Sequence, residues 1–243
     1  MKNEWFASWF DTSYYHTLYK DRDEKEAKSF IENLIDDLKI PKNAYLLDLA
    51  CGQGRHSITL NELGYKVLGV DLSENSIKIA SAFSTNDLSF TVHDMRNSIE
   101  GKSFAAVLNL FTSFGYFNDE IDNLKVLKSI NKMLDENGLL VIDFMNAHRV
   151  VITLVESEVK TVDGIHFNIE RKFDGKHIYK DIRFKDDGKD FHFTERVQAL
   201  TKETFEKLLS QSGFRILRTF GDFDLSPYDK VKSNRLILIA QKV

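Results

Sequence analysis

Apolar and polar residues along the middle of the chain follow the pattern of an α/β protein. Short apolar runs predict strands at residues 45–49, 66–70, 88–92, 104–110 and 139–144. Apolar residues at helical spacing between these runs predict helices at residues 55–63, 74–83 and 120–134. Because strands and helices alternate, we expect a parallel sheet with right-handed crossovers.

The N-terminal region carries a different pattern. Residues 1–20 are dense in aromatic side chains, which favours a helical segment that packs over the core, covers a ligand as a lid, or does both. From Glu24 to Leu38 the apolar residues again follow helical spacing, and Pro41 lies just beyond. We therefore predict an N-terminal helical lid at residues 1–40, followed by the main domain at residues 41–150 and 201–243.

Between these two parts of the main domain, apolar and polar residues alternate with a period of two, which is typical of strands. Three alternating runs predict an antiparallel three-stranded insert within residues 151–200: Lys160–Phe173, Lys176–Phe184 and Asp190–Leu200. Its apolar rows must be buried, either against a substrate cleft or against a partner subunit in a homodimer. A helix at 202–212 and two strands, Phe214–Phe220 and Arg235–Gln241, then close the sheet.

Composition narrows the class of protein. The 243 residues, 42% of them hydrophobic, suffice for one globular domain with a sub-domain. The net charge of −4 and the lack of a dense basic run argue against nucleic acid or an anionic membrane as partner. Cys51 is the single cysteine, which excludes an internal disulfide and a cysteine-based zinc site, and no metal-ligand spacing is evident. With no membrane span or signal-peptide core, a cytoplasmic location is expected.

The stretch Tyr45–His56 reads as a strand, a tight glycine turn and the start of a helix. Gly52 and Gly54 allow positive φ angles and close approach of a ligand to the backbone, and the helix start offers free N–H groups. This arrangement suits a nucleotide-like ligand at the carboxyl end of a parallel sheet. Arg55, His56 and Ser57 follow Gly54, so the third glycine of the dinucleotide fingerprint is missing.

Three acidic residues lie at the ends of the first three predicted strands. One strand–helix unit separates each of these acids from the next. Asp71 is placed to bind the hydroxyls of a ribose, and Asp94 can accept from an adenine amino group beside the backbone N–H of Met95. Asp48 lies too close to the turn to reach the sugar easily, so we expect it to order the glycine loop or to bind a ligand's ammonium group.

These residues carry a family resemblance. The run from Leu46 to Gly54 resembles the first motif of class I S-adenosyl-L-methionine (SAM)-dependent methyltransferases. The run Leu108–Phe117 is similar to the segment after strand four in glycine N-methyltransferase and the amino-sugar N,N-dimethyltransferases, which also carry a β insert and an aromatic N-terminus. The resemblance implies a Rossmann-like seven-stranded methyltransferase sheet with helices on both faces. It also implies SAM as cofactor, S-adenosyl-L-homocysteine as product and a small-molecule acceptor methylated at nitrogen or oxygen.

Candidate site residues follow from the motifs and the resemblance. The candidates for contacting the cofactor are Tyr15, Arg22, Asp48, Ala50, Cys51, Gly52, Gly54, Asp71, Leu72, Asp94, Met95 and Leu110. Tyr15 and Arg22 lie where related enzymes bring an N-terminal segment over the SAM carboxylate. Tyr116 is expected at the methyl-transfer site, and Asn146 and His148 follow strand five at the same sheet edge, where they could reach an acceptor. Two alternatives stay open: a SAM-binding protein without catalysis and an NAD(P)-dependent oxidoreductase.

Overall fold

The computed structural model describes residues 5–20 and 24–243, which contain two β-sheets. The strands are β1 (Tyr45–Leu49), β2 (Lys66–Asp71), β3 (Leu88–Val92), β4 (Phe104–Asn109), β5 (Leu134–Met145), β6 (Ser157–Val162), β7 (Ile165–Phe173), β8 (His177–Asp186), β9 (Lys189–Gln198), β10 (Phe214–Phe220) and β11 (Arg235–Lys242). The main sheet has the order β10-β11-β5-β4-β1-β2-β3, in which β1 to β5 are parallel and β11 is antiparallel to both neighbours. The predicted seven-stranded Rossmann-like sheet and its closing hairpin are confirmed.

Helices cover both faces of the main sheet. The helices are α1 (Trp5–Trp9), α2 (Ser13–Leu18), α3 (Glu24–Leu38), α4 (Arg55–Glu62), α5 (Glu74–Ala80), α6 (Glu120–Met133), α7 (Ala147–Ile152) and α8 (Lys202–Gln211). The apolar sides of α3 and α4 pack into one core layer, and those of α6 and α8 pack into the other. None of the described helices is long and apolar enough to cross a membrane.

The fifth strand begins earlier than the hydrophobic pattern indicated. The structure starts it at Leu134, directly after α6, whereas the sequence predicted a start at Leu139 after a turn at Asn137-Gly138. Phe104 of β4 pairs with Leu134, and the pairing resumes at Leu139, so the residues between them form an irregular, outward segment. Such a bulge has no hydropathy signal, because its residues are polar like those of a loop.

The insert has four strands, so the predicted count of three was wrong. The four form a separate antiparallel sheet in the order β6-β7-β8-β9. The run predicted as one strand, Lys160–Phe173, turns back on itself at Asp163 and Gly164, whose φ angles are 50° and 82°. This Asp-Gly pair is a hairpin signal, as are Asp174-Gly175 and Asp187-Gly188 between the other predicted runs.

The apolar face of this second sheet packs against α1 and α2. The cluster's buried residues are Trp9, Leu18, Val162, Phe167, Ile169, Ile182 and Phe184. We call α1, α2 and the strands β6 to β9 the cap. The apolar rows of the insert are thus buried within the same chain. Because α3 packs on the main sheet, the described helices within residues 1–40 belong to two units. Association of two copies through the insert stays a prediction.

Polar contacts also join the two halves of the cap. The carboxylate of Glu195 on β9 accepts hydrogen bonds from Trp9 Nε1 at 2.8 Å and from the Tyr19 hydroxyl at 2.7 Å. Lys180 Nζ lies 2.5 Å from the same hydroxyl, and the Tyr14 hydroxyl donates to Asp186 at 2.9 Å. These contacts fix how the N-terminal helices sit on the insert.

The cap core gives a first prediction. Phe167→Ala removes a side chain with no solvent exposure from the contact between β7 and the N-terminal helices. We expect the free energy of unfolding to fall by about 3 kcal/mol, the usual cost of such a truncation. Hydrogen exchange should then accelerate in α1, α2 and β6 to β9 before it does in the main sheet.

A matched control lies on the same strand. Phe173 is 38% exposed, so Phe173→Ala should change the stability by less than about 1 kcal/mol. Equal losses in the two variants, measured by urea unfolding, would contradict a cap core formed at Phe167.

Candidate cofactor and acceptor site

A cavity of about 340 Å³ lies at the carboxyl edge of the main sheet, where it is also lined by α1 and α2. The loops that follow β1, β2, β3 and β4 supply its other walls. The strand order places β1 between β4 and β2, so the cavity opens at the point where the direction of strand order reverses. Open α/β sheets bind their ligands at this position.

The glycine turn after β1 forms one wall of the cavity. Its backbone is left-handed at three positions, with φ angles of 66° at Ala50, 56° at Gly52 and 86° at Gly54. A Cβ added at Gly52 would meet no atom within 4 Å, whereas one added at Gly54 would lie 2.7 Å from the ring of Phe90. Ala50, Cys51 and Gly52 therefore border the cavity, while Gly54 packs against the sheet.

Asp71 connects this turn to the loop after β2. One carboxylate oxygen accepts from the backbone N–H of Gly52 at 2.8 Å, and the other accepts from that of Ser73 at 2.9 Å. Burial raises the pKa of Asp71, although these N–H donors oppose the shift. Asp71 and its neighbour Leu72 both border the cavity. Since a carboxylate can accept about four hydrogen bonds, Asp71 keeps capacity for a ligand's hydroxyl groups.

Asp48 has a different position from the other two strand-end acids. It is buried behind the glycine turn, and its carboxylate accepts a hydrogen bond of 2.6 Å from the hydroxyl of Ser57 in the first turn of α4. Burial raises its pKa to about 6. Of the two roles expected for Asp48, its contacts favour support of the glycine loop over contact with a ligand.

The loop after β3 supplies Asp94 and Met95, which both border the cavity. Asp94 accepts from the backbone N–H of Arg96 at 2.9 Å and from its guanidinium at 2.6 Å. Burial alone would raise the pKa of Asp94, but the hydrogen bonds from Arg96 outweigh it and hold the pKa below its usual value. Asp94 is thus ionised and can act as an acceptor only.

Aromatic side chains surround the rest of the cavity. Tyr15 of α2 and Tyr116 of the loop after β4 both contact Phe10, with ring centroids 4.8 Å and 5.2 Å from that of Phe10. Leu110 also borders the cavity, but Phe114 is fully buried against Phe205 in the core of the main sheet. The predicted residue Arg22 lies outside the described residues.

Asn146 and His148 lie at the expected sheet edge but do not border the cavity. Asn146 is 1% exposed and caps α7, and its amide donates to the carbonyls of Lys230 and Ser233 at 2.9 Å each. These contacts tie α7 to the loop before β11. Both residues follow β5 as expected, but the amide of Asn146 faces the loop before β11. A role of Asn146 and His148 toward an acceptor stays a prediction.

Several residues of the site were missed by the sequence analysis. Arg55 and His56 border the cavity, and the only signal was their place after the glycine turn. Asp11, between α1 and α2, accepts from the hydroxyl of Ser73 at 2.6 Å and from the side-chain amide of Asn75 at 2.8 Å. Asp11 therefore attaches the cap to the start of α5, beside the loop that carries Asp71.

The fold and the site together define a class of protein, an α/β enzyme that binds a nucleoside at the carboxyl edge of its sheet. Residues 40–211 match the family model described as Methyltransferase domain. The chain belongs to this family, and it is a SAM-dependent methyltransferase.

Individual relatives agree with this assignment. YqeM of Bacillus subtilis (strain 168), named as a methyltransferase, is 29% identical over 218 residues, which cover 85% of this chain and 87% of that protein. The glycine/sarcosine N-methyltransferase of Aphanothece halophytica is 27% identical over 216 residues, or 83% of this chain and 76% of that protein. A SAM-dependent methyltransferase from Clostridium acetobutylicum ATCC 824 shares the fold with a TM-score of 0.80 at 22% identity, over 94% of this chain and 96% of that one.

The residues present fit SAM as the cofactor. The open space beside Gly52 leaves room for a ligand against the glycine turn, and Asp71 offers carboxylate oxygens to a ribose. Leu72, Met95 and Leu110 give the cavity apolar surface for a flat base. The missing third glycine is consistent with this fit, because no pyrophosphate has to approach the helix.

The buried carboxyl of Asp48 gives a second prediction. Its folded-state pKa of about 6 lies above the unfolded value of about 3.9, so folding favours the protonated form. The wild-type protein is therefore most favoured, as far as Asp48 is concerned, below pH ~4, where this carboxyl is protonated in both states. That part of the free energy of unfolding is lost as the pH rises through 6 and the buried carboxyl ionises. Asp48→Asn cannot ionise and keeps an acceptor for Ser57, so at pH 7 it should be more stable than the wild type by roughly 2–3 kcal/mol.

Urea unfolding between pH 4 and pH 7, without ligand, measures this difference. The difference between Asp48→Asn and the wild type should close near pH 4. Asp87→Asn, at an exposed position, is the control and should change the stability by less than about 0.5 kcal/mol. If the difference in the free energy of unfolding between Asp48→Asn and the wild type stayed constant with pH, it would contradict the raised pKa of Asp48.

Proposed function

We propose that the enzyme transfers a methyl group from SAM to the nitrogen of a small amine. The observation that carries this proposal is the ring of aromatic side chains on the α1–α2 side of the cavity. Phe6, Phe10, Tyr15 and Tyr116 border the cavity there, and Tyr116 contacts the rings of both Phe6 and Phe10.

On the cofactor side, the proposal assigns one group of contacts to each loop. Asp71 accepts from the ribose hydroxyls, and Asp94, with the backbone N–H of Met95, binds the adenine edge. Ala50, Cys51 and Gly52 allow the ligand to approach the backbone of the glycine turn. When bound, SAM supplies an electrophilic methyl group on a sulfonium.

On the acceptor side, the aromatic faces match the charge that a nitrogen nucleophile develops. A neutral amine becomes positively charged as it gains a methyl group. Aromatic faces attract such a cation, typically by about 0.5–2 kcal/mol. The walls of the cavity also hold the two reactants together and exclude water, which accounts for much of the acceleration in reactions of this kind.

The relatives support a small acceptor. The relative from Aphanothece halophytica is named as a glycine/sarcosine N-methyltransferase. We therefore place glycine, sarcosine and a simple amino sugar first in an acceptor panel, with a phenol as the oxygen nucleophile.

The cofactor half of the proposal is tested by calorimetric titration with SAM. Asp71→Ala should weaken binding by at least about tenfold, because it removes the acceptors for the ribose and the contact that holds the N–H of Gly52. Asp87→Ala, at the opposite end of a neighbouring strand, is the matched control and should bind like the wild type. Wild-type protein that bound NAD but not SAM would refute the proposal.

The acceptor half is tested by mass spectrometry on the panel and by variants of Tyr116. Tyr116→Phe keeps the aromatic face and should retain most of the activity, whereas Tyr116→Leu loses the face and should lower kcat/KM by about five- to tenfold. Methylation of the phenol alone, or equal losses in both variants, would contradict an amine acceptor stabilised by this ring.

A further inference from the structure

The loop after β4 contains an uncommon stretch of backbone. Phe111 and Thr112 are consecutive, neither is glycine, and both adopt left-handed conformations, with φ angles of 55° and 62°. A left-handed conformation is sterically unfavourable for residues with a Cβ, and more so for a β-branched residue such as Thr112. Such strain persists only where the surroundings hold it, and it is concentrated at functional sites.

An ion pair between a buried carboxylate and a partly buried arginine holds both residues. Asp143 of β5 has no solvent exposure, and its Oδ2 accepts from the backbone N–H of Phe111 at 2.8 Å. The main-chain carbonyl of Asp143 accepts from the backbone N–H of Thr112 at 2.9 Å. Arg235, the first residue of β11, donates from Nε to Asp143 Oδ1 at 2.7 Å and from Nη2 to the hydroxyl of Thr112 at 3.0 Å.

The turn directs the ring of Phe111 into the wall of the cavity. The Phe111 ring stacks on the imidazole of His56, with centroids 5.0 Å apart and an angle of 26° between the planes. The guanidinium of Arg55 lies 4.1 Å from the centroid of the same ring. Arg55 and His56 open α4 directly after the glycine turn, and all three residues border the cavity.

Beyond the cavity, Phe223 continues the stack. Its ring lies 5.1 Å from that of Phe111 at an angle of 26°, and the guanidinium of Arg235 lies 5.3 Å from the centroid of Phe223. Arg235 thus contacts both the hydroxyl of Thr112 in the turn and the stack that supports the Phe111 ring.

We propose that Asp143 and Arg235 are positioning residues: their ion pair keeps the turn at Phe111 and Thr112 left-handed, so that the Phe111 ring borders the cavity over the start of α4. Neither residue borders the cavity itself, so both act through the turn. The inference rests on the proposed function only in taking this cavity as the site of the SAM-derived ligand.

The first test uses two readouts that need no acceptor. The ring protons of His56 should carry an upfield ring-current shift from Phe111, visible in a proton–carbon correlation spectrum and assigned with His56→Gln. In Asp143→Asn, either the N–H of Phe111 or Nε of Arg235 faces an amide NH₂ group instead of a carboxylate oxygen. The turn should then move, and the shift of the His56 ring protons should diminish. The affinity for S-adenosyl-L-homocysteine should fall by about tenfold, the usual cost of a lost charge-assisted hydrogen bond.

The second test separates the strain of the turn from the fold as a whole. Thr112→Gly and Thr112→Ala both remove the hydroxyl that accepts from Arg235, but only glycine adopts the left-handed conformation without strain. Added to Asp143→Asn, the Thr112→Gly change should restore the His56 shift and most of the affinity. The Thr112→Ala change should restore neither, and this pair is the matched control.

Two results would overturn the proposal. One is an Asp143→Asn variant whose His56 shift and affinity stay within twofold of the wild type. The other is equal rescue, or equal lack of rescue, by Thr112→Gly and Thr112→Ala. If Asp143→Asn fails to fold, Arg235→Lys serves in its place, because it keeps the carboxylate contact with Phe111 but loses the two-atom fork.

The outcome is distinct from a failure of the proposed function. Wild-type protein that does not bind S-adenosyl-L-homocysteine would refute the cofactor site. The His56 shift in the ligand-free protein would still decide whether the ion pair positions Phe111.

Discussion

Hydrogen bonds from backbone N–H groups to carboxylates shape the carboxyl edge of the main sheet. A chain that leaves a parallel strand through a left-handed turn removes its N–H groups from the sheet, and they need new acceptors. Asp71 accepts from Gly52 and Ser73, and Asp143 accepts from Phe111. Each of these carboxylates therefore determines the course of a loop that borders the cavity. The walls of the cavity therefore depend on acids that accept hydrogen bonds from backbone N–H groups.

The cap depends on the same edge. Helices as short as α1 and α2 do not persist alone in water, so they need the apolar face of the insert and the carboxylate of Glu195. Asp11 then joins this unit to the start of α5 through Ser73 and Asn75. Ser73 also donates its backbone N–H to Asp71. The attachment of the cap and the placement of the Asp71 carboxylate are thus linked through one residue.

The sequence predicted the parts of the fold that follow from periodicity. The strands of the main sheet have apolar runs of the right length, and acids at their ends necessarily meet at one edge, which is how Asp71 and Asp94 were identified. The direction of a side chain at that edge cannot be predicted from periodicity. Asn146 follows β5 as expected, yet its amide faces the loop before β11. Asp143 was also missed, because it lies inside the apolar run of β5 and its partner Arg235 is distant in sequence.

Sequence patterns predict the residues in and next to the site less well than they predict the strands and helices. Burial of Asp48 lowers the stability of the fold, and the loss grows as its carboxyl ionises. Phe111 and Thr112 adopt left-handed conformations, which are favourable for glycine and unfavourable for residues with a side chain. None of these choices increases the stability of the fold, and the two core layers of the main sheet have to offset them. A buried ion pair is also a weak source of stability compared with apolar packing. The placement of the Asp143–Arg235 pair next to the strained turn is therefore better explained by the geometry it imposes on the cavity than by any contribution to folding.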